Sequence, residues 1–151
     1  MNKIPLRKDI ELKKELINKI ILVTGGLSNT LGVLVFSRFF TNEAIVYFHP
    51  NVMSNFGLLM LMPWGLLMFI MVCYYKILPQ VLLILALEKI IYVVVWVEWI
   101  LRNNLKSVFE VDLMAGIFYS VFGVNDMLFF VAFLYIYFNT NKLLPTKPKL
   151  H

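Results

Sequence analysis

The chain has one cysteine, Cys73, among its 151 residues. One cysteine cannot close an intrachain disulfide and excludes a thiol relay that needs two cysteines of this chain. Set beside Tyr74 and Tyr75, it reads as a buried or interfacial filler. Histidine is nearly as scarce, with His49 the only copy before the final His151. Zinc-type sites need several ligating side chains close together, and no acidic cluster accompanies His49, which reads first as a loop or interface residue. The glycine-rich phosphate loop, HExxH, GxSxG, the protein-kinase set, CxxC and CxxCH are all missing. No named enzyme chemistry follows from motifs, and no cofactor is specified. Charge is also in short supply, at 15% of residues.

What the chain has instead is apolar sequence. Hydrophobic residues make up 60%, with 13 Phe, 7 Tyr and 3 Trp, and mean hydropathy is +0.78. A soluble domain of this size could not bury so much apolar surface, whereas lipid can cover it. Four apolar runs stand out, at about Ile20–Phe36, Phe56–Tyr74, Val81–Leu101 and Leu113–Phe138. Each approaches the roughly 20 residues that cross a bilayer as helix, and none alternates like a membrane β-strand. Helices satisfy their backbone internally, as the hydrocarbon core requires. The expected fold is therefore an all-α membrane protein, a four-transmembrane-helix antiparallel bundle over residues 20–138. Residues 1–19 form a basic N-terminal segment and residues 139–151 a loose tail broken by Pro145 and Pro148.

The +5 net charge is segregated. Lys3, Arg7, Lys8, Lys13, Lys14 and Lys19 precede the first run, Lys76 sits between the second and third, and Lys142, Lys147 and Lys149 follow the last. The opposite loops hold only Arg38, Arg102 and Lys106. Positive charge favours the cytoplasmic side, so both termini are expected there, in a membrane of the bacterial inner type. Nothing resembles a nucleic-acid-binding surface. Residues 6–18 fit either an interfacial helix or a charged helical extension of the first span. The short Ile77–Gln80 hairpin predicts that spans two and three are antiparallel neighbours.

Inside the apolar runs lie costly exceptions. Glu88 and Lys89 interrupt the third run and Asp126 the fourth. Ionisable residues at membrane depth mark functional sites by default. At 1.5 Å per helical residue, Lys89 lies about 12 Å from the cytoplasmic end of its span, Asp126 about 16–18 Å and Asn29 about 14 Å. These groups can share one layer near mid-membrane. Lys89 and Asp126 form the natural pair, while Glu88 points about 100° away, toward a second partner, a water-filled cleft or Tyr92. Lys89, Tyr92, Trp96 and Trp99 share one helix face, as do Gly116, Tyr119, Gly123 and Asp126. The glycines permit close helix approach, and Asn125 can hydrogen-bond to either side. Gly25, Ser28 and Gly32 offer a similar small face beside Asn29. Toward the outer surface, Glu98 and Arg102 are spaced to pair, and Arg38 and Arg102 suit helix-end anchors or a lipid phosphate.

These features predict an intramembrane pocket between spans one, three and four for a lipophilic or amphipathic small molecule. Glu88, Lys89, Asp126, Asn29 and Asn125 would supply its polar groups, and Tyr92, Trp96 and Tyr119 its walls. Three alternatives compete: a proton- or cation-coupled transporter working as a homodimer or other oligomer, an accessory subunit of a membrane assembly, and a lipid-modifying enzyme using Asp126, Glu88 or His49 for proton transfer. Membrane lipids are the one partner that composition itself implies.

Overall fold

A computed structural model describes residues 4–141, with side chains from Lys8 onward. Among the described residues there are helices and no strands. Helix α1 (Ile4–Leu27) passes through a π-helical turn (Ser28–Gly32) into α2 (Val33–Phe36). Two short helices, α3 (Glu43–Phe48) and α6 (Leu105–Val111), lie in the connections at one end of the molecule. The other long helices are α4 (Asn55–Tyr74), α5 (Gln80–Arg102) and α7 (Leu113–Asn141). Among the described residues, four helical stretches are long and apolar enough to cross a membrane: Lys8–Phe36, Asn55–Tyr74, Gln80–Arg102 and Leu113–Asn141, here spans one to four. The protein is an integral membrane protein built as a four-helix bundle. Leu66, Ile70, Leu87, Val94, Leu128 and Val131 are all more than half exposed, as lipid-facing side chains should be.

The charged N-terminal stretch continues the axis of span one as a single helix, so the extension forms rather than a separate helix. At that end Glu15 bridges Lys19 and Lys76, tying span one to the hairpin between spans two and three. Span four stays helical to Asn141, taking in the first three residues of the expected tail, and residues 142–151 lie outside the described residues. Cys73 is exposed, and its neighbour Tyr75 is the buried one.

The tight hairpin after span two forms, yet spans two and three touch little. Span one packs chiefly on span two, and span three on span four. Glycines explain both pairs. A Cβ on Gly65 of span two would lie 2.8 Å from the Gly26 carbonyl oxygen of span one, so only glycine permits that approach. A Cβ on Gly123 of span four would lie 2.1 Å from the Trp96 indole of span three. Gly116 is covered by the Phe109 ring of α6 instead of by another span.

The core has two apolar halves. One, near the termini, holds Leu22, Met68, Met71, Leu82, Leu85, Phe133 and Ile136. The other, at the distal end, holds Leu58, Leu61, Trp99, Phe118 and Tyr119 together with Ile45, Met53 and Val108 from the connecting segments. The first distal loop therefore folds inward as a plug: Ile45 and Met53 have no exposed surface. Tyr119 donates to the Ile45 carbonyl at 2.7 Å and Trp99 to the Phe48 carbonyl at 3.0 Å, pinning the plug to spans three and four. Arg38, Phe39 and Phe40 turn the chain with φ of 48°, 56° and 68°. Left-handed backbone costs about 1–2 kcal/mol per non-glycine residue. The Ser37 hydroxyl, accepting from the Phe40 amide at 3.0 Å, and the Asn42 side chain, donating to the Phe36 carbonyl at 3.2 Å, help hold the turn closed.

Candidate functional site

Between the two apolar halves lies a buried polar layer. Lys89 has no exposed surface, and Glu88, Asp126 and Asn29 are each about 95% buried. The Lys89 ammonium donates to Asn29 Oδ1 at 2.8 Å and to Asp126 Oδ1 at 2.9 Å. It lies 3.4 Å from Glu88 Oε1 and 3.3 Å from Oε2. One ammonium thus serves two carboxylates and an amide from spans one, three and four, and the shared depth expected from the sequence becomes direct contact. Pairing offsets part of the desolvation cost that each group would bear alone. Two buried polar atoms in the layer have no hydrogen-bond partner, Asn29 Nδ2 and Glu88 Oε2.

The π-turn places span one's contribution. Its wider winding interrupts the α-helical ladder, a feature frequent at functional sites. Ser28 and Asn29 are consecutive, yet both reach neighbouring spans: the Ser28 hydroxyl accepts from Asn125 Nδ2 at 3.1 Å while Asn29 binds Lys89. Thr30 turns its hydroxyl back to the Gly26 carbonyl at 2.7 Å, leaving its methyl against span two beside Gly65.

A cavity of about 190 Å³ opens beside this layer. Ser28, Asn29, Asn125 and Asp126 form its polar end. Val33, Phe36, Leu61, Tyr92, Phe118 and Phe122 form apolar and aromatic walls, and Met53 from the plug closes the distal side. Val121, at the rim, is 44% exposed on span four. Exposed Val121 on span four and half-buried Ser28 and Gly32 on span one place the opening laterally, between these two spans. On the opposite side of the layer, a groove between spans two and three is bordered by Trp64, Ile84, Leu87, Glu88, Ile91 and Tyr92. Asp126 borders the cavity, Glu88 borders the groove, and Tyr92 borders both.

The structure thus brings Glu88, Lys89, Asp126, Asn29, Asn125 and Tyr92 into one neighbourhood. Trp96 and Tyr119 stand apart from the cavity wall. Trp96 lies against Gly123 and donates to the Tyr119 carbonyl at 2.7 Å. Tyr119 is fully buried and stacks on Trp99 at 4.1 Å. Their place in the wall is taken by Phe36, Phe118 and Phe122, which carried no polar marker in the sequence.

The distal residues have separate partners. Arg38 pairs with Asp112 at 2.8 Å, and exposed Arg102 with Glu98 at 2.9 Å. His49 Nδ1 is buried without a partner. Burial holds the His49 imidazole below its ordinary pKa, against the opposing influence of Glu98. Asp112 escaped notice in the sequence although an acidic residue just before an apolar run signals a helix start. It caps span four by accepting from the Ala115 amide at 2.8 Å, and it also accepts from Asn42 at 3.0 Å. Burial pushes its carboxyl up, but the Ala115 amide, Asn42 and Arg38 together leave it below the ordinary carboxylate value. Among the described residues, no group of three or more His, Cys, Asp or Glu side chains is arranged to hold a metal ion.

Compared with known proteins, the chain matches no family model, no curated protein and no solved structure.

Proposed function

We propose that this protein binds a lipophilic or amphipathic small molecule inside the membrane, in the cavity between spans one and four. The supporting observation is the union of an aromatic, lipid-accessible cavity with a polar end made by Asn29, Asn125 and Asp126. Ligand sites are commonly apolar hollows with a few convergent polar groups. Size agrees as well: an apolar cavity of about 150 Å³ takes benzene, so about 190 Å³ suits a ring or short chain carrying a polar group.

Gly32 offers a direct test. It lines the cavity, and a Cβ there meets nothing nearer than 3.8 Å. Gly32→Phe should fill the cavity without disturbing helix packing. Native mass spectrometry after gentle extraction should find a small molecule retained by the native chain and lost from Gly32→Phe. Equal retention by both chains would overturn the assignment.

A second reading, transport of a proton or small cation, draws support from the two carboxylates facing different hollows on either side of Lys89. It requires flux in proteoliposomes that disappears in the Glu88→Gln/Asp126→Asn double variant. Flux unchanged by that double substitution would reject it.

A further inference from the structure

We infer, resting on the binding reading above, that the ligand is a lipophilic monocation: an amine on an aromatic or aliphatic body, with its ammonium group held by Asp126. Charge count supplies the first reason. Glu88 and Asp126 share a single buried ammonium, Lys89. With both carboxylates ionised, this layer carries one excess negative charge in a medium that solvates charge poorly. A bound cation balances it where a proton on Glu88 otherwise would.

Geometry supplies the second. Lys89 stands between its two partners, 2.9 Å from Asp126 and 3.3 Å from Glu88. When a ligand ammonium takes Asp126, Lys89 keeps Glu88 without leaving its place. Hydrogen-bond inventory supplies the third. Asp126 accepts from Lys89 and Asn125 through the same oxygen, Oδ1, so Oδ2 remains for a ligand donor. Asn125 donates through Nδ2 to Ser28 and Asp126, so its own carbonyl oxygen is a further acceptor. Acceptors at the polar end select a donor-bearing headgroup and disfavour carboxylates or phosphates. The Tyr92 hydroxyl, which also lines the cavity, can donate to a hydroxyl or carbonyl beside the amine. Rings at Phe36, Phe118 and Phe122 add faces that tolerate a cation.

Two probes of the same shape test the charge. 4-Fluorobenzylamine and 4-fluorobenzyl alcohol share the ring and differ in the headgroup. Their binding is followed by fluorine NMR to the full chain in phosphatidylcholine nanodiscs at neutral pH, with the Gly32→Phe chain as background. The amine should bind saturably and about tenfold more tightly than the alcohol, the scale of a hydrogen bond to a charged group. Asp126→Asn should bring the two within about twofold of each other. The amine–alcohol comparison uses the native chain, so it decides the question even should Asp126→Asn fail to fold. Equal affinities, both abolished by Gly32→Phe, would overturn the cation assignment and leave the cavity reading standing. Absence of saturable binding by either probe, or binding that Gly32→Phe does not alter, would overturn both.

Discussion

Replacing Lys89 by methionine isolates the energetics of the buried layer. Methionine has nearly the length and shape of the lysine stem, so packing is largely conserved and the ammonium is what disappears. Two carboxylates, each about 95% buried, then lose their only shared cation, and Asn29 loses the donor that lies 2.8 Å from its oxygen. Removing one member of a buried ion pair costs about 3–5 kcal/mol, because the abandoned charge remains in a poor solvent. Against a typical stability of about 5–15 kcal/mol, that is a large share. Lys106→Met is the control: its side chain is 83% exposed and lies 3.9 Å from Glu110, so the expected cost is at most about 0.5 kcal/mol. The assay is equilibrium unfolding in mixed micelles by titration with a denaturing detergent, followed by tryptophan fluorescence. Adding Asp126→Asn to Lys89→Met should restore part of the loss, since it removes one stranded charge. If Lys89→Met costs no more than Lys106→Met, or if the double variant is no more stable than the single, the ionic layer is not what stabilises this bundle.

Gly123→Ala should cost about 1–3 kcal/mol by forcing the Trp96 indole away from span four, and Trp96→Leu in the same chain should recover part of it, both read by the same unfolding titration. Asp112→Ala removes the cap on span four, the Asn42 hydrogen bond and the Arg38 pair; at about 1 kcal/mol for the cap, about 1 for the hydrogen bond and up to about 1 for the pair, the loss should be about 2–3 kcal/mol. The lowered Asp112 carboxyl adds stability that is complete above its ordinary value of 3.8 and lost as pH falls through the folded value. The acid-unfolding midpoint should accordingly move to higher pH in Asp112→Asn. His49 titrates in the same sense at higher pH: burial disfavours its charged form, so stability is full above its ordinary value of 6.5 and declines as pH falls toward the folded value. His49→Gln should flatten the dependence of melting temperature on pH between about 7 and 5, and an unchanged slope would remove His49 as its source.

Length and hydropathy made the spans legible because a bilayer leaves few alternatives. Roughly 20 apolar residues without charge can cross only as helix, and the predicted run Phe56–Tyr74 differs from α4 by one residue at its start. Lateral order was less legible. A short hairpin forces spans two and three to run antiparallel, but it does not force them to pack. Contact went to the pairs whose glycines admit a neighbouring backbone or ring, Gly65 against Gly26 and Gly123 against Trp96. The plug was invisible for a related reason: Ile45 and Met53 are ordinary loop residues by sequence, and only the left-handed turn at Arg38–Phe40 sends that loop back over the bundle.

The polar layer and the cavity beside it differ in legibility because they rest on different physics. A charge in hydrocarbon is so costly that it must find a partner at its own depth, and depth follows from counting residues along a helix. Counting therefore identified Asn29, Lys89 and Asp126 before any contact was visible. A cavity is a remainder, the volume left after every neighbour has been placed, and helix periodicity specifies directions without specifying remainders. Lys89, Tyr92, Trp96 and Trp99 do share a face of span three, but opposite Trp96 stands Gly123, and the indole fills the space that glycine vacates. One turn away, Tyr92 meets no such complement and borders open volume on both sides. The π-turn shifts the register of span one at Ser28–Gly32, and no count based on a uniform α-helix anticipates it. Gly32 lies at that turn and beside open space. It is thus a cavity position where a large side chain can be added with little backbone cost, and there the proposed site is directly put to the test.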